Sequence, residues 1–340
     1  MRRVGLAGYG LAGREIHAPL IERAGLEVVA VATTSPERVA RVRDERPDAA
    51  VVPDLDALLE RDDLDLVVLA TPTGGHGEQA LACVDAAVPV VVDKPLALTG
   101  RDAGRVVEAA RRAGVLLTVF QNRRYDPSFR TLQRTVADGL LGDLTRIELR
   151  WERWWPHRQD EWRETASADE GGGLLLDLHS HLIDQAVLLA GPITRVYATL
   201  AARTSVAEDD AALVCTHSSG VVSHLSAMRL AAAPGPRIRV LGREGAFVLT
   251  EFENDLNIFA DLADSEGCCG WLFRGEERSP VPSAGGDQAD FYRAVDHALG
   301  TGDPTDLPVD AMDAVRTLEV IDAARESARS GQAVPVPPLS

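Results

Sequence analysis

The stretch that decides the fold is residues 2–20, RRVGLAGYGLAGREIHAPL. Gly8, Gly10 and Gly13 follow the short apolar run VGLA and precede a helical pattern from Ala12 to Ala24. Glycines at this spacing also serve ordinary turns, and it is a strand before them and a helix after them that gives them a further meaning. In that setting they supply a tight turn, close approach of backbone to a pyrophosphate, and close helix packing, with the helix N-terminus facing the anion. Tyr9, Leu11 and Ala12 then join the three glycines as candidate dinucleotide contacts.

The rest of the first 120 residues supports this setting. Apolar runs EVVAVAT, LDLVVLATP, VPVVVDKP and VLLTVF alternate with helical patterns such as Gly77 to Ala87. Strands this uniformly apolar are buried on both faces, which predicts a doubly wound parallel sheet, a Rossmann-type α/β domain over residues 1–121. Beyond it the texture changes. TRIELRWERW, residues 145–154, alternates apolar and polar side chains with a period of two, as a strand with one wet face does. Further short runs near 195–200, 212–216, 221–227, 238–241 and 247–250 predict a C-terminal α+β domain, residues 122–340, built on a mostly antiparallel open sheet. Helical patterns at 287–299 and 309–329 close the chain, the last of them expected to pack back on the first domain, before an extended Pro-rich tail.

Composition narrows the partners. The 340 residues carry 35 Lys and Arg against 52 Asp and Glu, a formal charge of −17, which repels phosphate backbones and anionic membranes. Nucleic acid and membrane are therefore not expected partners, although one basic cleft for a phosphorylated cofactor is compatible with that total. Cys83, Cys215, Cys268 and Cys269 have neither zinc-site nor disulfide-framework spacing, so a reducing, cytoplasmic location is expected. Arg2 and Arg3 before an apolar stretch imitate a signal sequence, but the stretch holds four glycines and ends at Arg14 and Glu15 without a cleavage site.

The second strand informs the choice of nicotinamide. NAD sites place an acidic residue at its end for the ribose 2'-hydroxyl, whereas here Thr33, Thr34 and Ser35 stand in that place and Arg38 follows within reach of a 2'-phosphate. NADP is the preferred cofactor on this reading, with NAD the alternative if Glu37 serves the ribose and Arg38 is merely solvated. Thr71, Pro72, Thr73 and His76 after the LDLVVLATP strand, Asp93 and Lys94 after VPVVVDKP, and Asn122 are further candidate cofactor contacts, since open parallel sheets bind ligands beyond the carboxyl ends of their strands.

Two stretches bear on the chemistry. Lys94 ends a buried strand, with Pro95 fixing the turn; it either serves a ligand there or projects into solvent. Within EGGGLLLDLHSHLIDQ, a helix from Leu175 to Leu189 puts Asp177 and His181 four apart on one face, with Asp184 three further on. A carboxylate beside an imidazole orients it and favours its protonated form, as a general base requires. The other reading makes Asp177 a helix cap and His181 a satisfied core histidine. His179 and His181 lie on nearly opposite sides of a helix and cannot readily chelate one ion, so no metal is expected.

Taken together, GYGLAG, DKPLALT, QNRRYDPSF and GGGLLLDLHSHLIDQ resemble the Gfo/Idh/MocA family of glucose-fructose oxidoreductase and inositol dehydrogenase relatives. The resemblance extends over nearly the whole chain and is greatest with the NADP-dependent scyllo-inositol dehydrogenase and sugar ketoreductase branch. It implies that Lys94 and His181 are catalytic with Asp177 one turn before the histidine, that Asp93 replaces a more frequent glutamate, that the Pro95 bond is cis, and that the open sheet supports a homodimer or homotetramer. His179 departs from the pattern, which usually has glycine there. The activity so implied is reversible hydride transfer between nicotinamide and a secondary alcohol or ketone of an inositol, polyol or sugar. Arg123, Arg124, Tyr125, Trp154 and Trp155 are candidate substrate contacts, the tryptophans being equally readable as sheet core or dimer contact. Two other readings stand beside this one: a non-catalytic dinucleotide-sensing regulator of the same fold, and a dehydrogenase of a non-sugar diol.

Overall fold

The computed structural model describes residues 1–157, 165–251 and 256–337. Its contacts divide the chain into two units, Met1–Asn122 with Gln288–Arg316, and Arg123–Asp287 with Thr317–Ser340.

The first unit contains a six-stranded sheet with all pairings parallel. Its strands are β1 (Arg3–Ala7), β2 (Glu27–Ala32), β3 (Ala50–Val52), β4 (Leu66–Leu69), β5 (Val90–Asp93) and β6 (Leu117–Phe120), in the order β3-β2-β1-β4-β5-β6. All four residues of β4 and of β6 are buried, as two-sided coverage by helices requires. The order reverses between β1 and β4, which makes the carboxyl ends of these strands the place where such sheets bind ligands.

The connecting helices are delimited by their caps. In α2 (Pro36–Glu45) the Ser35 side chain accepts from the backbone N–H of Arg38, and Pro36 occupies the first turn where no N–H is needed. In α5 (Gly100–Ala113) Thr99 caps the start, and Gly114 ends the helix in the left-handed region at φ +67°. The intervening helices are α1 (Ala18–Arg23), α3 (Leu55–Leu59) and α4 (His76–Asp85). The glycine turn feeds first into a π-helical turn, Ala12–His17, before α1 begins. Residues 288–316 complete this unit: Phe291 stands edge-on to Phe120 of β6 at 5.0 Å, and the Val309 carbonyl accepts from the Thr118 hydroxyl at 2.8 Å.

The second unit is built on a nine-stranded sheet, β14-β13-β12-β11-β7-β10-β9-β8-β15. Its strands are β7 (Leu144–Glu152), β8 (Ile193–Ala201), β9 (Asp210–His217), β10 (Val222–Met228), β11 (Ile238–Gly242), β12 (Ala246–Leu249), β13 (Cys268–Arg274), β14 (Glu277–Pro282) and β15 (Val334–Pro335). Pairing is antiparallel except between β7 and β10. Burial alternates along β9 and β10, so one face of the sheet is covered and the other is open. Within the Pro-rich tail, β15 adds an edge strand, with Val334 opposite Val196.

The helices of this unit include α6 (Pro127–Ala137), α7 (Leu174–Asp177) and α8 (His179–Ala190). The last of them, packed on β7 and β10, buries Leu182, Ile183 and Ala186 completely. Burial of side chains such as leucine and isoleucine is worth about 1.5–3 kcal/mol each. A final helix, α10 (Ala311–Ser330), follows α9 (Ala289–Thr301) in the chain.

The single helix expected from Leu175 to Leu189 is instead two. Leu178, at φ −106° and ψ −39°, interrupts it, and His181 N–H donates to the Leu178 carbonyl three residues back. The Asp177 carbonyl lies 3.3 Å from the Ser180 hydroxyl, which bonds it across the break. Asp177 therefore ends one helix and His181 sits in the first turn of the next.

Candidate functional site

The glycines of the opening turn do three different things. Gly8, at φ +98°, adopts a backbone that L side chains rarely take, and a Cβ there would lie 2.5 Å from the Ala70 carbonyl oxygen. A methyl on Gly13 would overlap the Gly8 carbonyl. At Gly10 the space is open, and the nearest atom to a built Cβ is the Arg38 guanidinium at 4.0 Å. Two glycines thus close the turn and the third leaves room beside a cation, which fits a dinucleotide whose phosphates approach the backbone there. Leu11 is exposed and Ala12 half-buried at the same edge.

Tyr9 serves the turn by a different route. Its ring is buried and its hydroxyl donates to Glu45 at 2.8 Å, with the Arg46 guanidinium 5.6 Å from the ring centroid. Burial, reinforced by the bond to Glu45, pushes its pKa up to about 12, so the phenol remains a donor. Its side chain anchors the turn to the end of α2.

At the end of β2, Thr33 is buried, Thr34 exposed and Ser35 half-buried. The Ser35 oxygen caps α2 with a lone pair, so its proton remains available to a ligand. Glu37 is engaged in an ion pair with Arg41, four residues on.

Beyond β4 and β5 the strand ends are tied together. The His76 ring lies between two carbonyl oxygens, Pro95 at 2.8 Å from Nδ1 and Thr71 at 2.9 Å from Nε2. The Thr71 hydroxyl bonds Gln79, and Pro72 leads into a 3-10 turn that begins at the buried Thr73. The Lys94–Pro95 peptide is cis, and Lys94, half-buried, donates its backbone N–H to Asp93 Oδ1 at 2.8 Å. Asn122 is buried and donates to Gln288 at 3.0 Å.

In the second unit, His181 is buried with its ring 5.7 Å from that of Trp151. Asp177 lines a cavity of about 70 Å³ with Trp151, Arg153, Trp155, Glu208 and Arg229 among its walls. Trp154 and Trp155 are each about half exposed, at 50% and 47%, so neither belongs to the sheet core. Arg153 lies over the Trp155 ring at 4.7 Å, and Arg237 over that of Trp151 at 4.3 Å. Arg124 is held by Asp184, Arg123 is paired with Asp126 at 3.2 Å, and Tyr125 lies beneath Arg130. His179 is fully buried, its Nε2 3.4 Å from the Leu225 carbonyl oxygen. Among the described residues no cluster of three metal-ligating side chains occurs, and no helix is long and apolar enough to cross a membrane.

Two features of these regions carried no motif, and a third stands apart from motif spacing. Glu208 accepts from the Leu175 N–H at 3.0 Å, so a carboxylate distant in sequence caps the helix that bears Asp177; burial raises its pKa. Arg153 and Arg229 surround the tryptophans without any recognisable spacing. The third was visible in composition: of the 35 basic residues, Lys94 is the only lysine. In a chain that otherwise uses arginine throughout, a lone lysine at a strand end marks a position where a compact ammonium is not interchangeable with a guanidinium.

Comparison with known proteins bears on the family and the fold. A family model described as "Oxidoreductase family, NAD-binding Rossmann fold" matches residues 2–121, and one described as "GFO/IDH/MocA C-terminal domain" matches residues 129–248. The chain is 29% identical to scyllo-inositol 2-dehydrogenase (NADP(+)) IolW of Bacillus subtilis, covering 98% of this chain and 95% of the relative. It is 34% identical to the uncharacterized oxidoreductase YdgJ of Escherichia coli, covering 96% of each. Among solved structures, the YPO2259 putative oxidoreductase of Yersinia pestis superposes with a TM-score of 0.87 at 30% identity, covering 100% of this chain and 98% of that one. The chain belongs to the Gfo/Idh/MocA family and is an NAD(P)-binding oxidoreductase acting on CH–OH groups.

Proposed function

We propose that the protein is an NADP-preferring dehydrogenase that interconverts a secondary alcohol and a ketone on an inositol, polyol or sugar. The observation that carries the reading is the lone lysine at the carboxyl end of β5 in a sheet whose glycine turn fits a dinucleotide. The scyllo-inositol relative supports a polyol substrate, and its NADP dependence agrees with Arg38 beside Gly10 and with Thr33, Thr34 and Ser35 in place of an acid.

When bound, the nicotinamide supplies the redox chemistry. The residues of the chain do the rest. His181 accepts the proton of the substrate hydroxyl in the oxidative direction, and Asp177 favours the imidazolium that results. Lys94 places positive charge where the alkoxide develops. Trp151, against the His181 ring, keeps water from one side of the base. Trp155 and Arg153 line the Asp177 cavity and are suited to the apolar face and hydroxyls of a sugar ring.

The open face of the second unit's sheet, where Tyr197 and Val214 are 42% and 44% exposed, supports assembly into a homodimer or homotetramer.

The test is a panel of inositols, polyols and ketosugars offered with NADP or NAD in either oxidation state, followed by the near-ultraviolet absorbance of reduced nicotinamide. Turnover of at least one cyclic polyol or ketosugar, faster with the phosphorylated cofactor, is expected. Binding of dinucleotide with no turnover of any of them would overturn the reading.

A further inference from the structure

Behind Lys94 a line of buried polar groups runs into the first unit, and the dehydrogenase reading makes no use of it. His17, the last residue of the π-helical turn, is fully buried with its ring 4.3 Å from that of Phe120. Its Nδ1 lies 2.5 Å from the Tyr292 hydroxyl, and its Nε2 lies 3.7 Å from Asp93 Oδ1. That same carboxylate oxygen accepts the backbone N–H of Lys94. Tyr292 comes from α9 and is fully buried beside Phe120 and Phe291.

The proton positions follow from the surroundings. Burial, with the Asp93 charge adding to it, holds the Tyr292 pKa well above the ordinary value, so the phenol keeps its proton. A phenol has one proton to give, and donated to Nδ1 of a neutral ring it leaves the imidazole N–H on Nε2, facing Asp93. Burial works against ionisation of Asp93, but the His17 contact and the Lys94 and His76 charges outweigh it and hold the carboxyl below its usual range. The titratable groups facing this carboxylate are thus His17 from the π-helical turn, Lys94 from its own strand end, and His76 from α4, with the neutral Tyr292 from α9 behind them.

We propose that His17 and Tyr292 are positioning residues for Lys94: together they fix the Asp93 carboxylate, and through it the direction in which β5 delivers the lysine side chain. The line ends in a phenol with no exposed surface, so it has no outlet to bulk water and holds Lys94 rather than conducting protons to it. Lysine has a flexible four-carbon stem, so fixing its base restricts where the ammonium can go. A π-helical turn at the head of the first helix, an uncommon element often found at functional sites, is what brings His17 to this point.

The inference rests on Lys94 acting in the reaction, and the lone lysine allows the two to be tested separately. Full-length protein grown with lysine labelled with carbon-13 at its ε position gives a single side-chain resonance. Tyr292→Phe removes the hydroxyl and keeps the ring packing, His17→Leu removes both ring nitrogens, and His17→Gln keeps an amide donor for Asp93. With Tyr292→Phe and His17→Leu the lysine resonance is expected to move and kcat to fall about ten- to a hundredfold. NADPH affinity should stay within about twofold, because the glycine turn is intact. His17→Gln should recover part of both effects. If His17→Leu fails to fold, Tyr292→Phe and His17→Gln carry the test. An unmoved resonance and parental kcat in folded, NADPH-binding Tyr292→Phe would overturn the proposal. Full turnover by Lys94→Ala would instead remove the role of Lys94 in the reaction, a result visible without touching His17 or Tyr292.

Discussion

Arg124 and Asp184 form a two-pronged ion pair, Nε to Oδ2 at 2.9 Å and a terminal nitrogen to Oδ1 at 2.5 Å, that ties the NRRY segment to α8. Their side chains are only 14% and 4% exposed. A charge left in such surroundings without its partner is costly, so Asp184→Ala is expected to destabilise the protein by about 3–5 kcal/mol. Asp184→Asn, which keeps one acceptor, should lose less. Urea unfolding of the three proteins checks this, and equal midpoints would show that the pair contributes no stability.

Removal of the imidazole is expected to separate chemistry from binding. His181→Ala should reduce turnover by about 10²- to 10⁴-fold, the range for loss of a general acid–base group, while NADPH binding measured by fluorescence is unchanged. Retention of parental turnover on a true substrate would take His181 out of the mechanism.

The nucleotide preference is expected to follow the end of β2. Ser35→Asp with Arg38→Ala replaces a cation by a carboxylate where a 2'-phosphate with nearly two negative charges would lie. The ratio of kcat/KM for NADPH over NADH should fall by at least about tenfold. A parent that already prefers NADH would refute the assignment of Arg38 directly.

His179 predicts an acid weakness. Complete burial lowers its pKa to about 4. An unfolded histidine titrates near about 6.5, so between these values the unfolded chain binds the proton and the native one does not. Stability is therefore unaffected by this group above about pH 6.5 and declines as the pH falls toward 4, by about 3 kcal/mol in all. His179→Gln should flatten that part of the stability curve, leaving the contributions of His217 and His224, whose pKa values burial also lowers. Parallel curves for parent and variant in urea titrations at several pH values would contradict the assignment.

The sequence was most legible where one physical constraint acts locally. Two-sided burial makes β4, β5 and β6 continuous apolar runs, and the glycine turn between β1 and the first helix is recognisable from those neighbours alone. By contrast β3 has three half-buried residues, too few for a period to show. The β13–β14 hairpin escaped notice because β14 is almost wholly exposed and carries Glu277 and Arg278. Nothing in LLLDLHSHL announces the break at Leu178, since neither glycine nor proline marks it and the bonds that settle it are made by the folded backbone. Of the candidate residues, Lys94 and His181 lie in recognisable motifs. Glu208, His17 and Tyr292 acquire their partners only from distant parts of the chain.

The scarcity of lysine has a practical side. Acylating reagents, aldehyde resins and lysine-specific endoproteinases all look for the same side chain, and this polypeptide offers them one, at residue 94. Coupling to a solid support through amines would engage either the N-terminus or the strand end beside the dinucleotide turn. Attachment that leaves the protein working is better sought through its many surface carboxylates.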